Sequence, residues 1–176
     1  MDRRVDRIVL ENSRNVNMMR ENATPVSDDP FNLNRFTDAQ NDIYHRVIKE
    51  LTSGRKTTHW MWFVFPQIDG LGYSPTTKHF AIKSIDEARQ YLNHPVLGPR
   101  LFECTEAVLA VEGWSISEIL GSPDDLKLKS SITLFDFVAG SAVFVRVLDK
   151  YFRGKRDTRT LHLIEKLKET TSETDV

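Results

Sequence analysis

Residues 59–74 read His-Trp-Met-Trp-Phe-Val-Phe-Pro-Gln-Ile-Asp-Gly-Leu-Gly-Tyr-Ser, and no other stretch constrains the chain as strongly. Six bulky apolar side chains, Trp60 to Phe65, follow one another without a break, and two of the three tryptophans are among them. Fully burying a side chain of this size is worth roughly 1.5–3 kcal/mol, so the run is expected at the centre of a hydrophobic core. Because every position is apolar, periodicity cannot separate helix from strand, and the flanks decide. Thr57 or Thr58 can cap a short helix. Pro66 pushes Phe65 out of the α region, so the expected element is a buried helix of about two turns that ends before Pro66. Residues 67–80, with Gly70, Gly72 and Pro75, are expected to form a loop.

The flanking segments carry a helical period. From Asn34 to Ser53, Phe36, Ile43, Tyr44, Val47, Ile48 and Leu51 fall at helical spacings, and Gly54 is a stop. Ser84-x-x-Glu87 predicts a capping box opening a helix to Leu92. His94-Pro95 restarts the chain, with Pro95 suited to the first helical position. Leu97, Leu101, Cys104 and Val108 then share one face of a helix reaching about Val111. Ser115-x-x-Glu118 opens a short helix stopped by Gly121. Ser122 is expected as the N-cap of the next, with Asp124 and Asp125 on its first turn, where acids suit the helix dipole. That helix carries Leu126, Ile132, Leu134, Phe135 and Val138 and stops at Gly140. Residues 142–153 form an apolar helix, and Asp157 caps a last one bearing Leu161 and Ile164. The fold class is therefore mainly α, a single compact multi-helix domain.

Residues 1–28 read as a flexible N-terminal extension, poorly ordered, because Val5, Ile8 and Val9 are followed by no sustained period and Thr24-Pro25 and Ser27-Asp28-Asp29-Pro30 are breaker chemistry. Residues 29–168 are the helical domain and 169–176 a polar tail. At 176 residues, a core can form without staples. A net charge of −1 gives no general pull toward nucleic acid or membranes. The one cysteine, Cys104, excludes an internal disulfide and any multi-cysteine metal site, and suits a reducing cytoplasm. The sequence has no apolar stretch of the ~18 residues a membrane span needs.

Longer motifs carry a family resemblance. They are Asp29-Pro30-Phe31 with Arg35-Phe36-x-x-Ala39-Gln40, His59-Trp60-Met61-Trp62-Phe63-x-Phe65-Pro66-Gln67, Gly70-Leu71-Gly72-x-Ser74, and Ala88-x-x-Tyr91-Leu92-x-His94-Pro95-x-Leu97-Gly98-x-Arg100-Leu101. Lys127-x-x-Ser130-Ser131-x-Thr133-Leu134-Phe135 and Asp157-x-x-Thr160-Leu161 complete the set. In these the chain resembles domain-of-unknown-function family 1810, small and mainly α-helical proteins, over roughly residues 29–168. The resemblance implies the helical fold and no activity. Some members carry the label calpastatin, the name of a cysteine-protease inhibitor. The chain has no Pro-Pro-containing inhibitory segment, so the label is set aside.

Candidate site residues follow from side-chain chemistry, each beside a plainer reading. His59 borders the aromatic run and is either a ligand contact or acid–base group, or a core-edge histidine. His94 is a second candidate, or simply a helix cap. Trp60 and Trp62 can form aromatic walls. Gln67 and Ser74 can hydrogen-bond a ligand where Gly72 lets the backbone approach it, or the segment is only a turn. Arg100 is an anion fork or a snorkelling surface arginine. Lys127, Ser130, Ser131 and Thr133 form a polar patch on an apolar helix that can hold a phosphate, or can face solvent. Arg153, Lys155, Arg156 and Arg159 around Asp157 read as a solvated helix junction and give little support for nucleic-acid binding. No zinc-ligand spacing and no catalytic triad are present, so neither a metal nor a cofactor is expected.

The order of helices and polar patches is also loosely similar to the NADAR family of ADP-ribose-processing proteins, which implies a nucleotide-like ligand. The expected function is thus binding of an anionic small molecule, nucleotide or ADP-ribose-like, with catalysis open. The alternative is a non-catalytic protein-interaction domain.

Overall fold

The aromatic run lies where its apolarity sends it: Trp60, Met61, Val64 and Phe65 are buried, while Trp62 and Phe63 are half-buried. The computed structural model describes residues 29–172, and the expected extension over residues 1–28 lies outside them. The chain divides into two units, Met1–Asn32 and Leu33–Val176, and all ten helices of the described residues belong to the second. They are α1 (Asn34–Asn41), α2 (Tyr44–Thr52), α3 (Met61–Val64), α4 (Pro75–Phe80) and α5 (Ile85–Asn93), then α6 (Leu97–Ala110), α7 (Ile116–Leu120), α8 (Asp124–Ala139), α9 (Ala142–Phe152) and α10 (Thr158–Ser172). The described residues hold no strand, only an isolated bridge between Ile68 and Ile82. The fold is mainly α, as the periodicity predicts. No helix among the described residues is long and apolar enough to cross a membrane.

The central element is α8. Ser130 to Phe135 and Asp136 are all buried, so the middle of the helix is enclosed on every side, while Leu126 in its first turn and Phe137 near its end reach the surface. It packs against α3, α5, α7, α9 and α10. Aromatic rings link the layers: Phe36 meets Tyr91 edge-on at 5.0 Å, Tyr91 meets Phe135 at 5.4 Å, and Phe135 meets Phe144 at 6.3 Å.

Several expectations need correction. The helix expected from Asn34 to Ser53 is two helices. The chain turns at Asp42–Ile43, so that α1 lies on α3 and α2 on α6; one straight helix cannot serve both partners. The run at Trp60–Phe65 forms only the single turn of α3. Its expected threonine caps are diverted, because Thr57 and Thr58 donate their backbone N–H and hydroxyl groups to the buried Glu50 carboxylate at 2.8–3.2 Å. Residues 67–80 are not all loop, since Ser74 accepts from the Thr77 N–H at 3.1 Å and caps α4, with Pro75 in its first turn. Ser122 does not cap α8. The Ser122–Pro123 peptide is cis and Pro123 occupies the cap position.

The Ser84 box closes only by half. Ser84 accepts from the Glu87 N–H, but the Glu87 carboxylate turns to the Arg35 guanidinium and the Lys83 N–H instead. At Ser115 the box is complete. The last helix runs on through Ser172.

Candidate functional site

Three segments converge on a cleft of about 390 Å³. The 67–77 segment contributes Gln67, Leu71, Gly72 and Thr77. The start of α8 contributes Pro123, Leu126, Lys127 and Ser130, and the start of α10 contributes Asp157 and Arg159.

Local structure fixes each wall. The backbone of Gln67 is pinned, because its carbonyl accepts from the Ile82 N–H at 2.8 Å and Asp69 donates to the Ile82 carbonyl at 2.9 Å. Gly72 must lack a side chain here: a Cβ on it would lie 2.7 Å from the Thr77 methyl. Thr77 itself is held by the Ser74 cap, with the two hydroxyls 2.8 Å apart.

Lys127 extends over the Trp62 ring, with Nζ 4.5 Å from the centroid, and bonds Asp124 at 2.8 Å. Asp124 also takes the nearly buried Lys56 at 2.7 Å. Burial pushes the Asp124 carboxyl up, but hydrogen bonds from Lys127 and Lys56 outweigh it and hold the group below its ordinary value. This Lys–Asp–Lys cluster carries a net positive charge at the edge of the cleft. Arg159 adds a second cation, exposed and without an ion pair among the described residues.

A chain of hydroxyls runs below. Thr160 Oγ1 donates to Asp157 Oδ1 at 2.7 Å, and the Thr160 N–H reaches the same oxygen at 2.8 Å. Thr160 has one hydroxyl proton, so in the 2.7 Å contact between the Ser130 and Thr160 hydroxyls Ser130 must donate. Ser130 therefore offers the cleft an acceptor, not a donor. Asp157 Oδ2 takes no hydrogen bond among the described residues and is a second acceptor.

Of the residues singled out in the sequence, Gln67, Gly72, Lys127 and Ser130 line this cleft, and Trp62 touches it through Lys127. The others lie elsewhere. Trp60 is wholly buried and donates its indole N–H to Glu50 at 2.8 Å. His59 is exposed and does not line the cleft. Ser74 serves as the α4 cap. His94 Nδ1 accepts from the N–H groups of Val96 and Leu97, at 3.1 and 3.2 Å, at the start of α6.

Arg100 ties α6 to the α1–α2 turn. It donates to Gln40 Oε1 and Asn41 Oδ1, both at 3.3 Å, and lies 4.5 Å over the Tyr44 ring. Ser131 Oγ is buried without a hydrogen-bond partner among the described residues. Thr133 accepts from the Asp157 N–H at 2.9 Å and donates to the Lys129 carbonyl at 2.7 Å, joining α8 to α10. Sequence reasoning missed Leu71, Thr77, Pro123, Leu126, Asp157 and Arg159 as lining residues. For Arg159 a signal existed, a cation two residues beyond a helix N-cap, inside a segment read as a solvated junction.

The comparisons agree with one another. The family described as "Protein of unknown function (DUF1810)" matches residues 30–164. The crystal structure of the conserved hypothetical protein Rv1873 from Mycobacterium tuberculosis is similar at 53% identity and a TM-score of 0.77, covering 78% of this chain and 99% of that one. No curated protein matches the chain.

Proposed function

The chain belongs to the DUF1810 family of proteins of unknown function, and from the geometry of its cleft we propose that it binds an anionic, nucleotide-like small molecule there. One observation carries the reading: Lys127 and Arg159, from two different helices, reach one concave site together with Gln67, Ser130 and the apolar side chains of Leu71 and Leu126. Concave sites with mainly apolar walls and a few convergent polar groups are where small molecules bind, and two cations select a negative charge. A single buried cysteine, Cys104, is compatible with a domain of the reducing cytoplasm.

The test is a thermal-shift screen of the whole chain against nucleotides, NAD and ADP-ribose. A ligand of the native state stabilises it by about 2.7 kcal/mol at ~100 Kd. The shift is expected to be lost in Arg159→Ala and in Lys127→Ala and kept in Arg100→Ala, since Arg100 lies outside the cleft. A shift that survives both cleft substitutions would move the ligand elsewhere. A flat screen would turn attention to a protein partner, for which the 57% exposed Trp114 is the first residue to change.

A further inference from the structure

The cleft offers three chemically different surfaces. At one edge are the cations Lys127 and Arg159. Next to them are acceptors with no proton to offer: Ser130 Oγ, whose one proton goes to Thr160, and the Asp157 carboxylate oxygen that takes no hydrogen bond among the described residues. The third surface is apolar, formed by Leu71, Pro123 and Leu126, the last 59% exposed although it is a large aliphatic residue. An anion alone would use only the first. The acceptors ask for a ligand bearing O–H or N–H donors, because a phosphate oxygen facing Ser130 or Asp157 would meet lone pairs or negative charge. The apolar surface asks for a flat or aliphatic group that gains by leaving water.

Size narrows the choice. A cleft of about 390 Å³ is near the lower end of the roughly 300–1,000 Å³ of small-molecule sites. It has one cationic edge and one apolar surface, not two of each.

Building on the proposed anion site, we infer that the ligand class is a nucleoside monophosphate: phosphate on Lys127 and Arg159, sugar hydroxyls on Ser130 and Asp157, base against Leu126 and Leu71. A dinucleotide or ADP-ribose would leave its second half outside. Free phosphate and ribose 5-phosphate would leave the apolar surface wet.

The experiment is titration calorimetry of the full chain with AMP, GMP, CMP and UMP, and with orthophosphate, ribose 5-phosphate and ADP-ribose. At least one monophosphate is expected to bind about tenfold or more tightly than ribose 5-phosphate, a difference of about 1.4 kcal/mol. Leu126→Ala, at an exposed position, should erase that preference and leave ribose 5-phosphate unchanged. Arg159→Ala should weaken both.

Equal binding of the monophosphate and ribose 5-phosphate would overturn the inference. So would ADP-ribose binding tightly while all four monophosphates do not. Either result leaves the anion site standing. Absence of binding by every phosphate compound would remove the anion site and this inference together.

Discussion

Glu50 shows how much one polar residue can organise. Its carboxylate is buried and takes five donors: the N–H and hydroxyl groups of Thr57 and Thr58, and the Trp60 indole. Burial raises its carboxyl, but the Thr57 N–H, the indole and the two hydroxyls together bring it from the ordinary 4.5 down to about 2. A value lower in the folded than in the unfolded chain stabilises fully above about 4.5, and that stabilisation is lost as pH falls through about 2. Glu50→Gln replaces one acceptor by a donor facing donors and should cost about 2 kcal/mol in urea unfolding at pH 7. The gap between wild type and variant should narrow as pH drops from about 5 toward 2. A constant gap would mean that the carboxylate charge is not what holds Thr57, Thr58 and Trp60. Nothing in the sequence pointed to Glu50. It sits in a helical pattern among other charged residues, and its partners are fixed only once α2 turns into the aromatic run.

At the scale of elements, the pair α5–α6 depends on one missing side chain. A Cβ on the buried Gly98 would lie 2.0 Å from the Leu92 carbonyl oxygen. Neither backbone can yield without moving its helix. Gly98→Ala should therefore cost about 3 kcal/mol, at the upper end of overpacking effects, read as a lower Tm and a lower urea midpoint. A neutral result would show that α5 and α6 can slide apart.

Elements were the most legible feature of the sequence, since capping serines at 84 and 115, the glycines at 121 and 140 and the apolar stripe from Leu97 to Val108 all act locally. The turn at Asp42–Ile43 was not legible: the helical period runs through it unbroken, and only tertiary packing breaks the helix. The candidate site was half legible for the same reason. Gln67, Gly72, Lys127 and Ser130 stood out by chemistry, but Leu126 looked like one more apolar helix position. Arg100, read as an anion fork or a snorkelling surface arginine, has its guanidinium engaged by Gln40, Asn41 and the Tyr44 ring.

Across the whole helical unit, the rings of Phe36, Tyr91, Phe135 and Phe144 connect α1, α5, α8 and α9 in one continuous series. No layer can open without exposing a ring belonging to the next. Residues 33–172 are therefore expected to unfold in one step, with far-ultraviolet and near-ultraviolet circular dichroism tracing the same transition. Separate midpoints would divide the core. The family signature takes on a double meaning at this scale. Arg35, Gln40 and Arg100 are spent on internal ties to Glu87, the Phe63 carbonyl and the α1–α2 turn, whereas Lys127 and Ser130, on the buried central helix, emerge at the cleft.

Trp62 gives that emergence an optical side. Its indole is half-buried beneath the Lys127 ammonium, whereas Trp60 is sealed in the core and Trp114 stands on an exposed loop. An occupant that draws Lys127 toward itself must change the electric field across the Trp62 indole directly, and across Trp60 only through Asp124 and Lys56, which lies 5.0 Å over the Trp60 ring, while Trp114 stands apart. The protein thus contains its own fluorescent reporter, and occupancy of the cleft can be followed by its emission without a label.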